Sequence, residues 1–239
     1  MLKRAVPDKA LFAIAFVGRQ GASYLQAMLD SHPDAVCQGE LFAPSAGRPG
    51  YLRDTDTAFE QTSHKNIELY LSQHVQPKGT RASGFKLPLV ALQHYPHLLE
   101  TARAERYRII QLSRENLVDQ YISLKLATIN GAWRSDAGSY RVRRFRIEPA
   151  EMTTQLLRWT EQNLKLAQAI DGIPSIHLTY EDLLTGSGIL QAMAFLGLPA
   201  ASLTSRFQRQ RQGRQRDIIE NFDQVKYAFR GTAWERHFD

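Results

Sequence analysis

The chain of 239 residues contains a single cysteine, Cys37, so it forms no internal disulfide and has too few thiolates for a zinc site of the Cys-rich kind. That suits a reducing compartment, and a cytoplasmic protein is expected. Long apolar runs are also missing. The longest, Leu11 to Val17, falls far short of the roughly 20 residues that a membrane helix needs, and Lys3, Arg4, Asp8 and Lys9 precede it. Neither stable membrane insertion nor a secretory leader is expected. Lysine is scarce. Of the 30 basic residues eight are lysine, which leaves 22 arginines against 24 acidic residues and a net charge of +6. Arginine presents a rigid fork that meets phosphate and sulfate oxygens in pairs, so this surplus points to an oxyanion ligand. No His/Cys/Asp cluster has ligand spacing, and no metal is expected.

What is present alternates. Strand-like runs at Phe12 to Val17, Ala82 to Phe85, Tyr107 to Leu112 and Ser175 to Leu178 are separated by helical periodicity at 22–30, 65–75, 90–102, 116–128 and 152–170, with shorter helices after Glu181 and Arg216. Such alternation predicts one α/β domain over 1–239, three layers around a central, mostly parallel sheet. In the fifth helix Met152, Leu156, Trp159, Leu166 and Ile170 form one apolar stripe, ended by Asp171-Gly172 and Pro174. Between Asn130 and Pro149 the periodicity is lost, and a surface loop, mobile without ligand, is expected.

The N-terminal strand runs into Gly18-Arg19-Gln20-Gly21-Ala22-Ser23 and then an amphipathic helix. Glycines let the backbone turn tightly, the first helical N–H groups lack internal partners, and the helix dipole adds positive charge, so an anion binds at such a corner. The Walker pattern G-x-x-x-x-G-K-[ST] is absent, which disfavours a standard ATPase or kinase. An ordinary strand-to-helix turn, with glycine for geometry, is the plain alternative.

The segment Gly18-Arg19-Gln20-Gly21-Ala22-Ser23-Tyr24-Leu25 resembles the 5′-phosphosulfate loop of sulfotransferases that use 3′-phosphoadenosine 5′-phosphosulfate (PAPS), commonly P-R-S-G-[ST]-[TS]-x-L. Arg19, Gly21, Ser23 and Leu25 match, whereas Gln20 and Ala22 stand where the family usually places hydroxyl residues. Leu29-Asp30-Ser31-His32-Pro33 and Gly39-Glu40-Leu41-Phe42 are similar to segments of the bacterial carbohydrate branch, the nodulation-factor and trehalose type. The fold this implies is P-loop-like. A second corner, Ser113-Arg114-Glu115-Asn116 followed by Ser123, resembles the family's 3′-phosphate element, with Arg114 as a bidentate contact and Ser123 as a hydroxyl donor. His177-Leu178-Thr179-Tyr180-Glu181-Asp182-Leu183 is similar to the family's YEDL segment, which places Tyr180 near the adenine. The tail from Arg209-Gln210 through Gly231-Thr232-Ala233-Trp234 is similar to that of the nodulation-factor enzymes.

The resemblance thus implies a cofactor site of Arg19, Gln20, Gly21, Ala22, Ser23, Tyr24, Arg114, Ser123, Tyr180, Arg209 and Gln210. The same resemblance implies PAPS as the donor bound there and 3′-phosphoadenosine 5′-phosphate (PAP) as the product released. Arg206, Arg209, Arg211, Arg214 and Arg216 offer a basic cover for a ligand with on the order of four negative charges, and Arg209 is the expected contact among them. Catalysis falls to Glu40, Arg19 and Lys86. Cytosolic family members use a histidine just after a comparable lysine, but positions 87 and 88 here are Leu and Pro. The bacterial branch uses a glutamate in a segment like Gly39-Glu40-Leu41-Phe42, so Glu40 is the expected base, with burial expected to raise its proton affinity. His94 and His97 are fallback bases. The acceptor implied is a small molecule or glycan hydroxyl, with Phe42, Tyr51 and Trp133 as aromatics for stacking on a sugar, and the reading is compatible with a homodimer. Three rivals stay open: a P-loop-like nucleotide kinase, a non-catalytic relative, and a nucleic-acid binder built on Arg141 to Arg146. The last has thin aromatic interleaving and no zinc finger, RRM signature or sustained basic helix, and no nucleic acid is expected.

Overall fold

The computed structural model describes residues 9–42, 64–75, 79–131, 143–207 and 213–239. Contacts group these into two units: the first holds 1–113 and 165–205, the second 114–164 and 206–239. Each is described by itself.

The first unit is built on a five-stranded sheet of β1 (Ala10–Phe16), β2 (Ala35–Gln38), β3 (Ala82–Pro88), β4 (Arg108–Ser113) and β5 (Ser175–Thr179), in the order β2-β3-β1-β4-β5 with every pair parallel. Parallel strands need crossovers, which here are α1 (Ala22–Asp30), α2 (His64–His74), α3 (Leu89–His94) and α4 (Leu98–Ala104), with α7 (Tyr180–Thr185) and α8 (Ser187–Leu196) after β5. The central strand β1 is apolar on both faces because both are covered. Phe12, Ile14 and Phe16 pack with Leu25 and Leu29 of α1 and with Ile189, Ala192 and Met193 of α8. Ala13 and Ala15, pointing the other way, pack with Ile67 and Leu71 of α2, Leu98 and Ala102 of α4, and Leu166 and Ile170. Three layers result, as the alternation of sequence patterns predicts. Gly84 on β3 is required by a close approach: a β-carbon there would collide with the carbonyl and ring of Phe12.

The second unit contains α5 (Leu117–Asn130), α6 (Pro149–Ala169) as far as Leu164, α9 (Gln215–Ile218), α10 (Phe222–Ala228) and a final 3-10 turn, Glu235–His237. Phe229 stands at its aromatic centre, with ring centroids 5.3 Å from Phe238 and 6.0 Å from Trp234. On α6 the expected stripe is buried at Met152, Leu156, Trp159 and Leu166. No helix among the described residues is long and apolar enough to cross a membrane.

Three differences from the sequence reading have physical causes. Strand β2 escapes the pattern because it is four residues long and lies at a sheet edge. The helix expected at 90–102 is two helices, because Pro96 offers no N–H and pushes Tyr95 out of helical geometry, to φ −125° and ψ 75°. The loop expected over 130–149 lies largely outside the described residues; at its end Arg143, Arg144, Arg146 and Glu148 are exposed as expected, but Phe145 and Ile147 are buried and Phe145 bridges to Ile219.

Candidate active site

Strand β1 ends at Phe16, and the chain turns through Val17 to Gly21 into α1. Three of these residues have positive φ: Gly18 at 138°, Arg19 at 57° and Gly21 at 86°. For arginine the left-handed conformation costs on the order of 1–2 kcal/mol, and such strain persists only where the surroundings impose it. Gln20 imposes part of it. Its side chain is fully buried and its Oε1 accepts a hydrogen bond from the Val17 N–H at 2.8 Å, closing the loop on itself. Gln20 therefore tightens the turn with its side chain folded inward. Gly21 is the N-cap of α1, with no side-chain capping bond and no acidic residue in the first turn, so the helix start keeps its positive character.

Gly21 also admits a neighbour. A β-carbon at this position would lie 2.5 Å from a ring carbon of Tyr180. Tyr180, the first residue of α7, is set by a reciprocal cap: the Thr179 N–H donates to Asp182 at 2.8 Å, and the Asp182 N–H donates to the Thr179 hydroxyl at 3.0 Å. The bond from the Thr179 backbone, then that from its side chain, holds the Asp182 carboxyl below the usual range. Tyr180 thus belongs to the wall of the loop.

Sheet register brings the next residues in. On β3, Lys86 stands opposite Ile14 of β1, and its backbone N–H donates to the Gly39 carbonyl at 3.1 Å, extending the β2–β3 ladder by one bond and fixing the approach to Glu40. Beyond Glu40 the chain is anchored by Phe42, whose ring lies 5.4 Å from Tyr70, 5.7 Å from Phe85 and 5.5 Å from Tyr95. The Lys86 ammonium donates to Glu40 Oε1 at 2.9 Å and to Ser23 Oγ at 3.1 Å. Its side chain is 9% exposed and that of Glu40 33%. Three residues from three separate motifs, Ser23, Glu40 and Lys86, therefore share one cluster at the C-terminal ends of β1 and β3. Cys37 lies under it, and burial pushes its thiol up despite the charge of Lys86, so it remains a neutral core group.

Arg114 follows β4 and begins the second unit. Its Nη2 donates to Asp119 Oδ2 at 3.3 Å, with 12% and 16% of the two side chains exposed. Ser123 lies two turns into α5. Arg209, Arg211 and Gln210 fall outside the described residues, as do Tyr51 and Trp133. Phe42 is fully buried and cannot stack on a sugar, which corrects that expectation. The fallback base His97 is engaged by Glu100 at 2.7 Å on an exposed helix. Among the described residues no acidic, cysteine and histidine cluster suits a metal ion.

No protein-family model matches the chain. It is 24% identical over 254 aligned positions to nodulation protein H of Rhizobium tropici, covering 98% of this chain and 95% of the relative. Among solved structures, a sulfotransferase from Alicyclobacillus acidocaldarius superposes with TM-score 0.50 at 18% identity over 90% of both chains. The mouse sulfotransferase SULT7A1 complexed with PAP does so with TM-score 0.52 at 13% identity, covering 95% of this chain and 86% of the other. The chain has the sulfotransferase fold. The resemblance read from the motifs is borne out by a homologue along nearly the full length, as is the expectation of an enzyme. Two signals were missed in the sequence: the inward turn of Gln20, and Asp119, which sits three residues after its helix cap Asn116 and so carried only a capping meaning.

Proposed function

We propose that this enzyme moves a sulfuryl group from PAPS to a carbohydrate hydroxyl, with Glu40 as general base. The observation that carries the reading is the Lys86 ammonium joined at once to Glu40 and to Ser23 of the loop helix. A base and a phosphate-loop hydroxyl that meet on one cation are arranged for chemistry between a hydroxyl and an activated oxyanion.

The loop suits a phosphosulfate. Gly21 leaves the first N–H groups of α1 without a side-chain cap, no carboxylate in the first turn competes, and Arg19 and Lys86 supply positive charge. Strand order agrees with this. Strand β1 leads to β2 and β3 on one side of the sheet and β4 to β5 on the other, and ligands of open α/β sheets lie beyond the strand ends at such a reversal. PAPS as the donor is supported further by the PAP named with the mouse relative.

When bound, PAPS supplies a sulfuryl group whose bond to the 5′-phosphate oxygen breaks as the bond to the acceptor oxygen forms, leaving PAP. The protein positions and balances charge. Glu40 takes the proton from the acceptor hydroxyl. Lys86 holds Glu40 in place and, with Ser23, Arg19 and the N–H groups of 21–24, offsets charge that gathers on the departing phosphate. Gln20 contributes through its main chain, since its side chain closes the loop. Arg114 and Ser123 hold the 3′-phosphate, Tyr180 faces the adenine side, and Arg209 with Gln210 completes the basic cover. The carbohydrate acceptor rests on the LDSHP and GELF segments and on the nodulation protein relative. The protein acts in the cytoplasm.

The test is direct. Purified protein is incubated with PAPS and a panel of oligosaccharides, and PAP and sulfate esters are quantified. Both should form in equal amounts with at least one acceptor; a protein that consumes no PAPS under any of them contradicts the reading.

A further inference from the structure

Around Arg114 the second unit builds a polar network that the mechanism above does not use. Asp119 lies in the first turn of α5, where its carboxylate also complements the helix dipole. Its two oxygens have two different partners: Oδ2 accepts from Arg114 Nη2 at 3.3 Å, and Oδ1 accepts from Gln215 Nε2 at 2.9 Å. Gln215 is 96 residues away in sequence and 1% exposed. Its amide nitrogen also donates to the His237 carbonyl at 2.8 Å, while its backbone N–H donates to Asp239 Oδ1 at 3.0 Å. Both protons of the side-chain NH2 are thereby used, one on the carboxylate that grips Arg114 and one on the C-terminal turn. Asn116 adds a longer contact to the same His237 carbonyl, at 3.5 Å.

Burying a primary amide is costly unless it is hydrogen-bonded, and Gln215 is an expensive way to hold a short terminal turn that Phe238 already anchors in the aromatic cluster. A leucine would fill the space without a polar group. What the amide supplies and leucine cannot is a fixed donor to Asp119. With Oδ1 tied down, the carboxylate offers Oδ2 to the Arg114 Nη2 from a fixed direction.

We propose that Asp119 and Gln215 are positioning residues that fix the Arg114 guanidinium for the 3′-phosphate, so that discrimination for a 3′-phosphorylated nucleotide depends on the C-terminal segment being docked. The inference rests on the assignment of Arg114 to that phosphate. It makes the second corner a composite of residues near 114 and near 215, held together before any ligand arrives.

The experiment compares PAP with adenosine 5′-phosphate, which lacks the 3′-phosphate, by calorimetric titration of the wild type, Asp119→Asn and Gln215→Leu. The wild type should bind PAP in clear preference. In each variant affinity for PAP should fall about tenfold, as expected for a lost charge-assisted contact, while affinity for adenosine 5′-phosphate stays within twofold. A merely structural role would lower both affinities together and leave their ratio unchanged, and that result overturns the inference. Asp119→Asn keeps the shape of the side chain, so it reports even if Gln215→Leu melts early. A wild type that does not prefer PAP removes the assignment of Arg114, and the inference with it; preference in the wild type that survives both variants removes the inference alone.

Discussion

The corner after β1 and the corner after β4 are built in different ways. The first is held by neighbours in the sheet: Gln20 closes the loop from within, Lys86 arrives by the register of β3 on β1, and Glu40 follows one residue after the β2–β3 ladder. The second is held by side chains, through Asp119 and then Gln215 from a distant segment. A corner set by backbone register tolerates loss of one side chain as a local defect. A corner set by a side-chain relay transmits every loss to its arginine. Chemistry and loop shape should therefore be separable at the first corner, whereas at the second a loss made anywhere in the relay should reach the arginine.

The sharpest separation is Glu40→Gln. Turnover should drop by roughly 10² or more with PAP affinity unchanged, measured by steady-state rates beside calorimetry; unaltered turnover removes Glu40 from the chemistry. Next comes Gly21→Val. The left-handed φ of 86° and the Tyr180 ring at its β-carbon position oppose any side chain, so a loss of about 2 kcal/mol or more in urea unfolding is expected together with weakened PAP binding. Full affinity in Gly21→Val would show that the loop geometry does not serve the nucleotide. Gln20→Leu removes the acceptor for the Val17 N–H and should cost about 1–2 kcal/mol of stability, with PAP affinity falling because the loop slackens and Glu40 chemistry otherwise intact.

The smallest effect concerns the cap behind Tyr180. Asp182 has a folded pKa depressed by the two bonds from Thr179. Its contribution is therefore present above the unfolded carboxylate pKa of about 4 and is lost as pH falls through the lower folded value. Thr179→Val, which keeps the backbone bond and removes the hydroxyl, should cost about 1 kcal/mol at neutral pH and lessen the decline of stability on acidification below about pH 4. An unchanged acid slope in that variant would contradict the cap.

Legibility followed the same division. The parallel α/β class and helix α1 to the residue were readable, and Ser23, Glu40 and Lys86 were readable as separate candidates, because the periodicity of β1 and the short segments around these residues each encode their own local structure. Register then did the assembly, which no motif states. The relay at Arg114 was not readable, since a helix-cap aspartate and a glutamine in an arginine-rich stretch have ordinary local meanings and meet only in the fold. Strand β2 was missed for lack of length, and Phe42, read as a ligand aromatic, is core because the residues after Glu40 must be anchored for Glu40 to stay in place.

The most direct test of the central claim, that these corners serve a doubly phosphorylated adenosine, is a calorimetric titration with PAP of the wild type and of Arg114→Ala. The account predicts micromolar binding at one site per chain for the wild type and its collapse in Arg114→Ala. A wild type that ignores PAP, or an Arg114→Ala variant that binds it undiminished, would contradict it.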